Sequence, residues 1–402
     1  MAEFENHFEK LFSGKEIKRE QVLAKTMLAY MVKGIASDVK YVVAAFPVKA
    51  LTSDMLYVRS WQVIMCLEKA GIKVIAFVCD GAATNRAFIN MHTPITRNET
   101  KLIFDTINFC SPEGRPLFFI SDVCHLLKTI RNCLYNSGTG EKKTRHMEIN
   151  GQKLEWKTIV RLYITFKDCN FRKVFKLNAQ NVFPNKFSCM SVKSAALVLS
   201  DTTAQDIEDQ KWPGTEELVR FIRYINKFFD CLNGAYAGHG IRTKNPNLSP
   251  YTDVDDPRFD CDKPFLEYLQ DWKKDAAKKK KGQKEQEKLQ LAKQTLIGIE
   301  MTIRGFAGSV RYLLELQEPP RFINARVFSQ DPLEQHFSLQ RGGGGGNSNP
   351  NAAMFLQKQV ATTVMRDIGV RMSKSNSTET ESTGMKVTDE PLPKRARKMK
   401  RN

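Results

Sequence analysis

Apolar and polar positions follow two regimes along the chain. The first is built of short apolar runs separated by turn signals. Residues 26–32 and 41–48 are two such runs, split by the polar stretch 34–38, and they predict an antiparallel strand pair. Ser53 and Asp54 offer an N-cap. The stripe Leu56, Val58, Trp61, Ile64, Met65 and Leu67 then predicts a helix over 55–69, with Gly71 as its stop signal. Residues 74–79 form a mostly β-branched or aromatic run, as expected of a strand buried on both faces; it ends at Asp80, where Gly81 permits a sharp turn. A second compact strand over 116–120 ends in Ser121-Asp122. After it, Val123, Leu126, Leu127, Ile130 and Leu134 share one helical face, with Lys128 and Arg131 on another. Asp122 sits where an N-cap belongs, and His125 reads as a packed or hydrogen-bonded residue, since no partner lies at metal-ligand spacing.

The second regime begins after the basic connection 138–153. From about 154 to 305 the patterning is helical, over 156–166, 190–206, 215–232 and 284–306, with a Gly-, Pro-, Asn- and Asp-rich loop at 233–262. This predicts a helical domain inserted in, or following, an α/β part. Residues 327–355 give an acidic helix start at Asp331 and Glu334, then five consecutive glycines, 342–346. That run lacks phosphate-loop spacing and reads as a hinge. Residues 1–24 read as a charged lead-in, and beyond Ser373 the composition predicts a disordered tail ending in PKRARKMKRN.

Charge changes the picture. The net charge is +18, from 62 Lys and Arg against 44 Asp and Glu, which favours polyanionic partners. Much of the excess lies in AAKKKKGQKEQEK, which reads as a solvated helix face, and in the basic tail, which suits either nuclear import or nucleic-acid contact or a merely solubilising role. The Cys count is nine with no CxxC pair, the pattern of reduced intracellular thiols rather than a disulfide framework or zinc knuckle. No apolar run approaches the roughly 18 residues of a membrane span, so no membrane partner is expected.

On its own, Asp80 reads either as a turn-capping residue or as a metal-binding carboxylate beyond a strand end. Three segments decide between these by resemblance. VCDGAATNR (78–86), FFISDVCHLLKTIRNCLYNSG (118–138) and DPLEQHF with the following glycine-rich GNSNPN (331–351) together resemble the P-element-type transposases, including the THAP-domain transposase-like proteins. The resemblance implies an α/β RNase H-like domain interrupted by a mostly α-helical GTP-binding insertion. The expected division is 25–150 for the first part of the core, 151–305 for the insertion, 306–372 for the last part and 373–402 for the tail.

The chemistry implied is DNA strand cleavage and transfer, with two divalent ions, Mg²⁺ or Mn²⁺, held by three carboxylates. By position Asp80 and Glu334 are two of the three, as catalytic and metal-binding acids. The first acid is expected on an opening strand upstream of residue 26, yet no Asp precedes Asp38, and no Cys precedes Cys66 to hold a zinc-bound DNA-recognition domain. The expectation is therefore a core lacking its first strand and impaired in catalysis. An active core from an incomplete gene model and a non-enzymatic interaction protein stay open as alternatives. For the insertion, the resemblance implies GTP contacts at Lys176, Val192, Ser200, Asp230 and Asn233, with Asp331 near the catalytic helix. It also implies transposon-end DNA as partner and a nuclear location, and leaves self-association open.

Overall fold

The computed structural model describes residues 24–37, 39–98, 101–140, 143–168, 174–279, 282–342 and 354–359, the side chains of 260–262 and 342 excepted. The lead-in, most of the glycine run and the basic tail lie outside them.

Strands β1 (Thr26–Lys33) and β2 (Lys40–Val48) pair antiparallel, with a register shift at Tyr30/Met31. Helix α1 (Ser53–Lys69) follows, capped by Thr52, whose hydroxyl accepts the Met55 N–H at 3.2 Å, rather than by Ser53 or Asp54. The cap falls one residue early because Thr52 has the extended backbone a cap needs while Ser53 is already helical. Next come β3 (Ala76–Cys79), α2 (Ala83–Ile89), β4 (Asp105–Ile107), β5 (Pro116–Ser121) and α3 (Val123–Tyr135). The sheet order is β3-β5-β4, with β3 parallel and β4 antiparallel to β5; β1 and β2 form a separate two-stranded sheet.

β5 is the centre of this part. Leu117 and Phe119 face one apolar cluster with Leu56, Trp61 and Phe88 from α1 and α2, while Phe118 and Ile120 face another with Leu126, Leu127 and Ile130 of α3. Burial on both faces explains its unbroken apolar run. Each such large side chain contributes about 1.5–3 kcal/mol of transfer free energy.

A small hairpin, β6 (Glu148–Ile149) and β7 (Gln152–Lys153), opens the helical part. Then follow α4 (Trp156–Phe166), α5 (Ala179–Val182), α6 (Val192–Val198), α7 (Asp201–Asp209), α8 (Glu216–Cys231), α9 (His239–Thr243), α10 (Pro257–Lys278), α11 (Gln283–Lys288) and α12 (Lys293–Leu314). The helix expected over 190–206 is broken in two. Leu199 leaves helical geometry, and Ser200 starts α7 by accepting the Thr203 N–H at 3.3 Å.

The pattern over 284–306 also resolves into two helices, and the second is not confined to the helical part. α12 lies along β5: Thr302 donates its hydroxyl to the Ser121 carbonyl at 2.9 Å and accepts the Ser121 N–H at 3.2 Å. Gly298, Gly305 and Gly308 make that approach possible. A Cβ at Gly305 would collide with the Phe119 carbonyl oxygen, and one at Gly298 would come within 2.7 Å of Leu126. The chain closes its described core with α13 (Asp331–Gly342).

Candidate functional site

Asp80 follows β3 and Asp122 follows β5. Because the strands are parallel and in register at Cys79 and Ser121, the two acids emerge side by side, and the Asp122 N–H donates to the Cys79 carbonyl at 2.9 Å. Burial, followed by the charges of Asp80 and Asp122, pushes the intervening Cys79 thiol up to about 12. Asp80 is half-buried; its Oδ1 accepts the Ala82 N–H at 2.9 Å and the Asn85 side-chain amide at 2.7 Å. The turn-capping geometry is therefore present at Asp80, and it uses one of the two carboxylate oxygens.

Asp122 is committed elsewhere. Oδ2 accepts both the backbone N–H of His125 and its Nδ1, each at 2.9 Å, and Oδ1 accepts the Gln330 N–H at 2.9 Å. It is the N-cap of α3, as the sequence predicts. Burial pushes its carboxyl up, but the hydrogen bonds from His125 and Gln330 outweigh burial and hold it below the ordinary carboxylate value. The His125 imidazole is raised, first by its bond to Asp122, against burial. Its other nitrogen, Nε2, stands 3.3 Å from Glu334 Oε1 on α13. His125 is thus a hydrogen-bonded residue, as expected, and it links Asp122 to Glu334. Local spacing carries no sign of that link, because α13 arrives from far along the chain. Asp331 begins α13, with Oδ2 3.0 Å from an Arg326 guanidinium nitrogen.

This arrangement bears on a metal. Among the described residues, no three His, Cys, Asp or Glu side chains are grouped so as to hold one. Asp80 and Glu334 offer hard oxygen donors of the right chemistry. Asp122, the third acid at this end of the sheet, has both oxygens occupied by donors. Among the described residues, that leaves Asp80 and Glu334 of the three carboxylates that the resemblance implies.

The second site lies in the helical part. A cleft of about 360 Å³ is lined by Lys176, Lys193, Ser200, Asn226, Asp230 and Asn245, with Leu127, Leu199 and Phe229 among its apolar walls. Lys176, Ser200 and Asp230 come together there from three separate segments. Val192 is the first residue of α6, beside the lining Lys193, and packs against the core. Asn233 follows α8 and donates its N–H to the Asp230 carbonyl at 3.1 Å. Neither is among the lining residues, nor is Asp331, which stands with the acidic centre. Sequence reasoning does not single out Lys193, Asn226, Phe229 or Asn245, although Asn226 lies one turn before Asp230 on α8 and so shares its face.

Asp230 Oδ2 accepts Asn226 Nδ2 at 2.8 Å and Asn245 Nδ2 at 2.9 Å. Burial raises its carboxyl above the ordinary value, opposed by those two bonds and by the Lys176 charge. A larger groove of about 700 Å³ beside α8 includes Arg220, Arg223, Trp212 and Tyr224, but Arg223 is closed onto Glu208 at 2.7 Å and Asp201 at 3.3 Å.

With both sites described, the class of protein is that of an RNase H-like domain carrying a GTP-binding-type insertion. Three family models match in order: "TNP-like, RNase H N-terminal domain" over residues 8–93, "TNP-like, GTP-binding insertion domain" over 124–244, and "TNP-like, RNase H C-terminal domain" over 327–357. The chain belongs to this TNP-like, P-element-type transposase family. It is 25% identical over 301 residues to the Transposable element P transposase of Drosophila melanogaster, covering 73% of this chain and 36% of that protein. It thus spans little more than a third of the curated relative's length. The fold is similar to that in the Drosophila P element transposase strand transfer complex, with a TM-score of 0.66 at 21% identity over 85% of this chain and 70% of the other. The RNase H N-terminal match begins upstream of β1, in residues outside those described, so the expected absence of an opening strand falls on that same segment.

Proposed function

We propose that the chain is a transposase-derived DNA-binding protein that holds a guanine nucleotide in its inserted domain and is impaired as a strand-transfer enzyme. The observation that carries the reading is the meeting of α3 and α13, where Glu334, brought from the far end of the chain, stands against His125 next to the Asp80 strand end. Metal ions bound by Asp80 and Glu334 would supply Lewis-acid stabilisation of a phosphodiester displacement. Asp122 does not complete the set, since its oxygens accept three donors from His125 and Gln330. Among the described residues this leaves two of the three expected acids, which supports the impaired reading. In the inserted domain, Asp230 suits the N1–H and N2–H₂ donors of guanine, and Lys176 and Lys193 suit its phosphates.

The test is a nicking and strand-transfer assay on duplex DNA with Mg²⁺ or Mn²⁺, beside DNA binding at several salt concentrations. The expected result is binding whose logarithm falls linearly with log salt, and little or no cleavage. Robust cleavage abolished by Asp80→Ala and by Glu334→Ala would overturn the impairment. Salt-independent binding would favour the interaction-protein reading instead.

A further inference from the structure

Asp230 is half-buried, and its two oxygens are treated differently by the protein. Oδ2 is bracketed by Asn226 Nδ2 from within α8 and by Asn245 Nδ2 from the loop beyond α9. Oδ1 accepts no hydrogen bond from the described residues. The bracket is itself fixed at both ends. Asn226 Oδ1 accepts the Asp201 N–H at 3.2 Å, tying it to the start of α7 beside Ser200, and Asn245 Oδ1 accepts the Asn247 N–H at 3.1 Å. Each amide therefore has its acceptor side spent on backbone and its donor side aimed at Asp230, which also fixes which way round each amide lies. All three residues line the cleft.

We infer that Asn226 and Asn245 are specificity-positioning residues of the nucleotide cleft, locking the Asp230 carboxylate with Oδ1 presented to the Watson–Crick edge of guanine. This rests on the guanine-nucleotide reading above. Guanine offers two parallel donors, N1–H and N2–H₂; adenine offers an acceptor at N1. With Oδ2 filled by the two amides, an ionised carboxylate held in this one orientation leaves the two lone pairs of Oδ1 to accept both guanine donors. A carboxylate free to rotate, or protonated because its donors are gone, loses the preference. Burial opposes the charged form here, and the two amides and Lys176 support it, with Asp201 the other charged group facing it.

The experiment titrates the full chain with a fluorescent GTP derivative and competes it with GTP, ITP and ATP. ITP lacks the N2 amine, so the GTP-to-ITP ratio reads the second hydrogen bond, which loss of packing alone would not move. For the wild type, GTP is expected to bind at least about tenfold more tightly than ITP, the scale of one hydrogen bond to a buried charged group. Asn226→Ala and Asn245→Ala are each expected to bring that ratio to within about twofold, and to move the acid-side loss of GTP binding to higher pH. Where an alanine variant fails to fold, Asn226→Ser or Asn245→Ser, whose hydroxyl stops one bond short of Nδ2, takes its place with the same expectation. Folded variants that keep the wild-type ratio and pH profile overturn the inference while leaving the guanine site intact. A wild type that binds GTP no better than ATP overturns the underlying reading.

Discussion

The carboxylate of Asp122 accepts the backbone N–H of Gln330 at 2.9 Å across 208 positions of sequence. That bond joins the start of α3 to the start of α13, and so joins the first and last parts of the RNase H-like core around the inserted helices. Replacing Asp122 by Ala removes the α3 cap and leaves the Gln330 N–H and His125 Nδ1 without an acceptor. The expected cost is about 2–4 kcal/mol, read as a lower denaturation midpoint in urea. Asp122→Asn, which keeps one acceptor oxygen, is expected to lose less.

Asp122 and His125 together set a pH dependence. Asp122 is held below its ordinary 3.8, so its contribution is present above that value and fades as pH falls through the lower folded pKa. His125 is raised above 6.5, so its contribution is full below that value and is lost as pH rises through the higher folded pKa. Together they stabilise most between about pH 4 and 6.5. His125→Ala should remove the decline in stability above that window; thermal melts from pH 5 to 8.5 check it. A wild-type profile that rises over the same range contradicts the assignment.

The separation between legible and illegible parts of this molecule follows from range. β5, α3 and α4 stand close to where local periodicity puts them, because each buries a face whose pattern lies within a dozen residues; β1 and β2 also stand there, as a half-exposed pair closed by a short turn. The break at Ser200 is hidden in the sequence because an apolar stripe continues through it, and only the cap geometry stops the helix. The pattern of α12 is plainly helical, which by itself assigns it to the insertion. That it packs on β5 depends on glycines whose purpose shows only against Phe119 and Leu126. At the sites, resemblance points to Asp80 and Glu334, and capping chemistry to Asp122. His125 as the connector of Asp122 to Glu334 emerges only in the tertiary structure, as does the Asn245 amide on Asp230.

The glycines of α12 give a stability test with an internal control. Gly305→Ala places a methyl group into the Phe119 carbonyl, so the usual gain in helix propensity is outweighed by strain. A loss of about 1–3 kcal/mol is expected. Gly282, the N-cap of α11, where an added Cβ would meet nothing within 4 Å, should lose no more than about 0.5–1 kcal/mol on change to Ala, through the weaker cap alone. Chemical denaturation of the two variants side by side decides it; equal midpoints would mean that α12 does not lie on β5 as closely as the structure has it.

The nucleotide cleft makes the most specific chemical prediction, through Asp230 alone. Asp230→Asn is nearly isosteric and keeps the residue between Asn226 and Asn245, but it exchanges an acceptor for a donor. Guanine then meets an N–H₂ where its own N2 amine needs an acceptor, while xanthine, with a carbonyl at C2, meets a matching donor. The variant is expected to lose GTP affinity by about tenfold or more and to gain xanthosine triphosphate over GTP, since a mismatched polar pair in a partly buried site leaves both groups unsatisfied. Competition of GTP and xanthosine triphosphate against one fluorescent nucleotide measures the exchange. Loss of both affinities together would indicate that Asp230 supports the cleft without reading the base. An unchanged GTP preference would place the base away from Asp230 altogether, leaving Lys176 and Lys193 as the phosphate-binding end of a differently oriented ligand.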